Sequence, residues 1–290
     1  MVIPIAPGGG TDIVGRMIAQ KLTEALGQQF IVDNRPGAGG IIGTEAVAKA
    51  PADGYTVLLT PTSHAINPSL YSKLPYDTVK DFAPVSLLVS VTTVFVAHPS
   101  LPVRTVKEVV ALAKSRRGQI SFGSAGNGHL FHLTGELFKN AAQIDMIHVP
   151  YKGGAPAIAG LLGGEVSLLF ETMLALQPFI QSQRVRPLAV ASIQRSPLLP
   201  SAPTFVESGY SSIVASNWYA LFAPASTPRE VVTRLNAEIT RALTAPEMRE
   251  RLRTQGTEVV AGSPEQLAEF VRTELAKWSQ AAKASGARID

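Results

Sequence analysis

Two glycine-rich stretches carry the residues best suited to chemistry: APGGGTD at 6–12 and GSAGNGHLFHL at 123–133. Each stands between an apolar run and a helical pattern. Each therefore offers backbone N–H groups and the positive end of a helix to an anion. A phosphate loop needs Gly-Lys followed by Ser or Thr, and the chain contains no Gly-Lys pair. A dinucleotide loop needs G-x-G-x-x-G, but the three near matches end in Ile13, Ile42 and Phe131. What remains is an anion cradle without a nucleotide signature, or a plain strand-to-helix turn. Asp12 stands where it could cap the first helix.

Other groups are sparser. His129, His132 and Glu136 share one helix face and offer a metal face on paper. They do not form H-E-x-x-H and have no second pair, so the expectation is a capping His129, a packed His132 and no metal. His64, His98 and His148 are isolated. No G-x-S-x-G elbow is present, and the absence of cysteine removes thiolate nucleophiles, disulfides and iron–sulfur clusters. Glu171 ends the apolar run VSLLFE and so sits at the carboxyl end of a strand. It reads either as an acceptor for a ligand's amino or hydroxyl group or as an ordinary exposed strand end.

These groups must be positioned by alternating strands and helices. VIPIA reads as a strand. Residues 12–26 read as a helix with Val14, Met17, Ile18 and Leu22 on one face and Gly27 as its stop. QFIVDN, GYTVLLT, ISFGSA, MIHVPY, EVSLLFE, RPLAVAS and NWYALFAP read as further strands, and PVSLLVSVTTVFVAHP as two strands or one long bent one. Thr105 with Glu108 forms a capping box. Thr227-Pro228 with Glu230, Thr244 with Glu247, and Ser263-Pro264 with Gln266 open three closing helices, the last burying Leu267, Phe270, Val271, Leu275 and Trp278. This rhythm predicts an α/β chain with a largely parallel sheet. Open sheets of that kind bind ligands at the carboxyl ends of their strands, where both glycine loops lie.

Composition sets the outer bounds. The 290 residues are 46% hydrophobic and 17% charged, enough for a sizeable core and about two domains. A net charge of +4 without charge blocks gives no support for nucleic acid. No stretch is long and apolar enough to span a bilayer, and no signal-peptide pattern opens the chain.

The stretches APGGGTDIVGRMIAQKL, VDNRPGAGGIIGTEAVAKAPADGYT, HAINPSLYSKLPYDTVKDFAPV, SAGNG…HLTGELFK, HVPYKGGAPAIAGLLGGEV and LFAPASTPREVVTRLN resemble the Bug (TctC) family. These are the extracytoplasmic solute-binding proteins of tripartite tricarboxylate transporters. The resemblance implies a periplasmic-binding-protein fold of the second type, with two α/β lobes, a hinge and a ligand cleft between them. Lobe 1 would comprise 1–98 plus 222–290, and lobe 2 would comprise 99–221. It implies a non-enzymatic monomer that binds a small organic carboxylate in the periplasm, without cofactor or metal, and delivers it to the transporter's membrane subunits. Presentation to a sensor receptor fits the same residues. The signal peptide would have been removed or not included. Carried over, the ligand would be held by Ala6, Gly8, Gly9, Gly10, Thr11 and Asp12 and by Ser124, Ala125, Gly126, Asn127, Gly128 and His129. Thr62, Ser63 and Ala65 would add to the first lobe. Gly154, Ala155, Glu171 and Trp218 would line the second lobe or the mouth. The chain departs from the family pattern at His129, Leu130 and Phe131, where small hydroxyl residues are usual, and at Glu171, where Asp is more common.

Overall fold

A short strand, β1 (Val2–Ile3), begins the chain; the expected VIPIA strand is cut to these two residues. α1 (Gly10–Leu26) buries Val14, Met17, Ile18 and Leu22 and ends at Gly27, whose φ of 67° allows its N–H to reach Thr23 O at 3.1 Å. β2 (Asp33–Asn34) and α2 (Ile41–Ala48) follow, then β3 (Leu58–Pro61) and α3 (Ser63–Leu70). α3 escapes the sequence reading because Pro68 and Asn67 argue against a helix in so short a segment. The apolar run after it is one strand, β4 (Phe82–Ala97). The computed structural model describes residues 1–285.

α4 (Val106–Ser115) opens with half of the expected capping box: Glu108 N–H donates to Thr105 Oγ1 at 3.1 Å, but the Glu108 carboxylate accepts from Arg104 N rather than from Thr105 N. β5 (Ser121–Ser124), α5 (Leu130–Ala142), β6 (Ile147–Pro150), α6 (Gly154–Leu162) and β7 (Leu168–Thr172) alternate as the pattern requires. α7 (Met173–Gln181) was not foreseen; β8 (Arg186–Val190) follows it.

β9 (Ser216–Pro224) leads to α8 (Arg229–Thr244), α9 (Pro246–Arg253), β10 (Thr257–Val259) and α10 (Pro264–Ser285). Of the three expected caps only one forms as written. Ser263 Oγ accepts from Gln266 N at 3.2 Å while Gln266 Oε1 accepts from Ser263 N at 2.8 Å. Thr227 Oγ1 is buried without a partner and Pro228 takes the cap position. The Thr244 hydroxyl instead donates back to Thr240 O, so it belongs to the end of α8. α10 buries Leu267, Val271 and Trp278, whereas Phe270 and Leu275 are only half-buried.

The chain divides into two units. The first comprises Met1–Ser90, Trp218–Arg253 and the residues from Glu258 on; the second comprises Val91–Asn217 with Thr254–Thr257. In the first unit β1 pairs in parallel with β2 and β3, and β3 pairs antiparallel with β9. In the second, β5 pairs in parallel with β6 and β7, while β4 runs antiparallel to β7 and β8. The sheet is therefore mixed rather than largely parallel. Its antiparallel members, β4 and β9, are strands whose partners lie far away in sequence. Each glycine loop is followed by a helix that presses on its own strand. A Cβ on Gly15 of α1 would sit 2.5 Å from Ile3 Cδ1, and one on Gly135 of α5 would collide with the Phe122 ring. At Gly135 the rigid ring leaves room for glycine only, whereas at Gly15 the obstacle is the tip of the Ile3 side chain.

Candidate functional site

In the first unit, Ala6–Asp12 and Thr62–Ala65 follow the carboxyl ends of the adjacent parallel strands β1 and β3. Gly9 is the extended N-cap of α1 and makes no side-chain cap bond, and Ile13 is the first residue to donate into the helix, to Gly9 O at 3.0 Å. The amides of Gly10, Thr11 and Asp12 thus point out of the helix end, and all three residues are buried. Ala6 is half-buried and Gly8 exposed.

Asp12 is not the N-cap. It lies within the first turn and reaches back, its Oδ2 accepting from Gly8 N at 2.9 Å and Arg16 Nε at 2.9 Å. Its Oδ1 accepts from Asn34 Nδ2 at 3.0 Å, and the same nitrogen donates to Ile5 O at 3.1 Å. Sequence reading missed Asn34; its only signal was a position at the end of β2. This network ties the loop before α1 to the neighbouring strand. Burial alone would raise the Asp12 carboxyl, but the bonds from Arg16, Gly8 and Asn34 outweigh it and hold the group below its usual range. A depressed carboxyl contributes stability above its unfolded pKa and loses it as pH falls through the folded value. Asp12→Asn is therefore expected to reduce stability at neutral pH and to flatten its loss as the pH falls below about 4, as read by urea titrations across pH. An unchanged acid limb in the variant would remove Asp12 as its source.

At the end of β3, Thr62, Ser63 and Ala65 are all buried. Thr62 Oγ1 accepts from Trp218 N at 3.1 Å, and Thr62 O accepts from Ala65 N at 3.0 Å. The Trp218 indole is turned onto α10: Nε1 donates to the buried Glu274 Oε2 at 2.9 Å, and the ring meets Phe270 edge-on at 5.4 Å. A second link missed by sequence reading is Asn67 of α3, whose Nδ2 donates to Gly39 O at 3.2 Å in the RPGAGG loop.

In the second unit, three segments lie at the carboxyl ends of the neighbouring parallel strands β6, β5 and β7. They are the loop Ser124–His129, the turn Gly153–Ala155, and Glu171. Ser124 is fully buried. Its Oγ lies 2.7 Å from His148 Nε2, accepts from Gly126 N at 3.2 Å and donates to Gly126 O at 3.1 Å. That hydroxyl fixes the loop to β6. His129 caps α5, its Nδ1 accepting from Phe131 N at 3.5 Å, and Leu133 is the first residue to donate into that helix. Ala125, Gly126 and Gly128 are buried and Asn127 is exposed.

The imidazoles of His129, His132 and His148 are packing groups that burial holds toward the neutral form. Burial lowers His129 to about 4. Burial, reinforced by His132 and Lys139, lowers His148 to about 3. His132 stacks on His148 at 4.0 Å between centroids and takes an N–H from Gly128 on Nδ1 at 3.3 Å. Among the described residues no three His, Asp or Glu side chains are grouped to hold a metal ion.

Glu171 is not an exposed strand end: it is 2% exposed. Oε1 accepts from Thr172 N at 2.7 Å and from Thr172 Oγ1 at 3.0 Å, while Oε2 is buried without a partner. Gly154 opens α6 directly against it; a Cβ there would collide with Oε2 and lie 3.0 Å from Cδ. Burial raises the Glu171 carboxyl to about 7 despite the two Thr172 bonds.

Each unit thus presents buried helix N-termini behind a glycine-rich loop pinned by side-chain bonds, a construction that holds an anionic oxygen through backbone amides. The family model described as tripartite tricarboxylate transporter family receptor, TctC, matches residues 14–287. Three solved structures are similar. One is the periplasmic binding protein BugD, 36% identical with a TM-score of 0.96, over 99% of this chain and 97% of that one. Another is Rpa4515 of R. palustris with adipate, 36% identical with a TM-score of 0.96, over the same shares, 99% and 97%. The third is MatC of Rhodopseudomonas palustris with bound malate, 31% identical with a TM-score of 0.92, over 97% of each chain. No described helix is long and apolar enough to cross a membrane. With the α/β architecture, the paired loops and the family match in agreement, the chain belongs to the TctC family of tripartite tricarboxylate transporter receptors, the Bug-type periplasmic solute-binding proteins.

Proposed function

We propose that this chain is a periplasmic receptor that captures a small organic carboxylate and delivers it to the membrane subunits of a tripartite tricarboxylate transporter. It would work as a monomer and without turnover. The carrying observation is the pair of strand–glycine–helix loops, one per unit, whose first-turn amides, apart from Phe131 N on the His129 cap, are not used inside their helices. Gly8–Asp12 with Thr62–Ala65 would form one jaw, and Ser124–His129 with Gly154, Ala155 and Glu171 the other. Trp218, held by Glu274, would act by positioning Thr62 through its backbone N–H. The adipate and malate held by two similar proteins indicate ligands with two carboxylates and short carbon chains.

A ligand engaging both jaws binds only when the two units close on it, so it shifts the population toward the closed form. At about 100 times its dissociation constant it stabilises the fold by roughly 2.7 kcal/mol. A thermal-shift screen of mono-, di- and tricarboxylates, amino acids and nucleotides is expected to raise the melting temperature by about 5–10 °C for a short dicarboxylate. Stabilisation by nucleotides with none by any carboxylate would overturn this reading.

A further inference from the structure

Glu171 is the one carboxyl that the proposed jaw of the second unit buries with an oxygen left over. Oε1 is committed to Thr172, and Oε2 faces the start of α6 with no partner. A buried carboxylate oxygen left unpaired is costly, and the cost disappears if that oxygen carries a proton and donates it. The surroundings supply no compensating charge. α6, α7, β4 and β5 carry no titratable side chain, and β7 carries only Glu171 itself. Neighbouring elements bring His129, His132, Glu136 and Lys139 on or beside α5, His148 on β6, and Tyr151 and Lys152 before α6. Lys139 is paired with Glu136 at 2.9 Å, the three histidines are held neutral by burial, and Tyr151 is pushed up to about 12 by burial and its bond to Glu165. None of these groups is among the causes acting on Glu171, which are burial and the two Thr172 bonds.

Resting on the carboxylate reading, we infer that Glu171 recognises the ligand as a neutral acid: its Oε2–H donates to a carboxylate oxygen of the ligand, so that binding takes up one proton. Two carboxylates sharing a buried site cannot both ionise, so the bound anion raises Glu171 further above its free value. The sign follows from linkage. Below about pH 7 the free protein already carries the proton and affinity is flat. Above it each complex must take a proton from solution, and affinity falls by up to about tenfold per pH unit. The same donor cannot satisfy an ammonium group. The ligand class is therefore short dicarboxylates without an amino group, in preference to aspartate or glutamate.

Titration calorimetry with adipate, succinate and aspartate tests this, in two buffers of different ionisation enthalpy, from pH 6 to 8.5. The wild type is expected to take up close to one proton per diacid at pH 8.5 and almost none at pH 6, with aspartate binding weakly throughout. Glu171→Gln mimics the protonated acid. It should bind the diacids within about threefold of the wild type at pH 6, with flat affinity and no uptake, its fold checked by circular dichroism. Diacid binding without proton uptake in the wild type overturns the role of Glu171 alone. So does uptake that persists in Glu171→Gln, which would assign it to a histidine, or loss of binding in that variant, which would make Glu171 an ionised acceptor. Absence of binding by any carboxylate overturns the underlying reading as well.

Discussion

Gly126→Val is expected to weaken carboxylate binding by more than about a hundredfold while leaving the protein folded. Gly126 has a φ of 136°, which side chains rarely adopt, and a Cβ there would stand 3.1 Å from the backbone oxygen of Tyr151. Backbone cannot move aside as the tip of a side chain can. The loop must therefore reroute, at about 1–3 kcal/mol of local strain. In doing so it breaks the frame in which Gly126 N meets Ser124 Oγ at 3.2 Å and Gly126 O meets His129 N at 3.2 Å. That frame aims the first-turn amides of α5. Losing two charge-assisted hydrogen bonds, about 1.5–3 kcal/mol each, corresponds to the stated loss of affinity. Calorimetry on the variant, with circular dichroism as the control for folding, reads the result. Affinity within about threefold of the wild type would remove this loop from the site.

Phe95→Ala should produce the largest loss of stability. Phe95 is fully buried, stacks on Phe170 at 4.4 Å between centroids, and meets Phe138 at 5.5 Å and Phe205 at 5.6 Å. Strands β4 and β7, helix α5 and the segment after β8 each contribute one ring to this cluster. Truncation removes the transfer energy of the ring and leaves a cavity that four separate segments cannot collapse to fill. The expected cost is about 3–5 kcal/mol, lowering the melting temperature by roughly 10 °C. Scanning calorimetry decides it; a shift under about 2 °C would show that the site repacks.

Features that depend on neighbours in the chain were legible before folding. The alternation of strand and helix periods, the stop at Gly27, the Thr105 side-chain cap and the capping box at Ser263 involve residues at most a few positions apart, and they stand as read. Both glycine loops belong to this class, as does the failure of the nucleotide motifs. The exceptions arose where a local signal had competitors. Thr227 had the residue types of a cap, but its hydroxyl is buried and unpartnered while Pro228 takes the cap position. The VIPIA run was apolar throughout, yet only Val2 and Ile3 pair in the sheet.

What determines the chemistry of the candidate site is set by residues far apart in sequence. Asp12 became a clamp rather than a cap because Asn34 reaches it from the next strand. Trp218 turned onto α10 because Glu274 accepts its indole N–H. Glu171, at a strand's end, read either as a hydrogen-bond acceptor for a ligand or as an exposed residue; burial beneath Gly154, with one oxygen unpaired, is what raises its carboxyl to about 7. By itself the sequence determined the α/β rhythm, the two loops and the family, because backbone hydrogen bonding and side-chain periodicity are short-range. Only the tertiary structure decided which polar groups are satisfied and which are left to meet a ligand, because burial is conferred by every segment packed around a residue and by none of them alone.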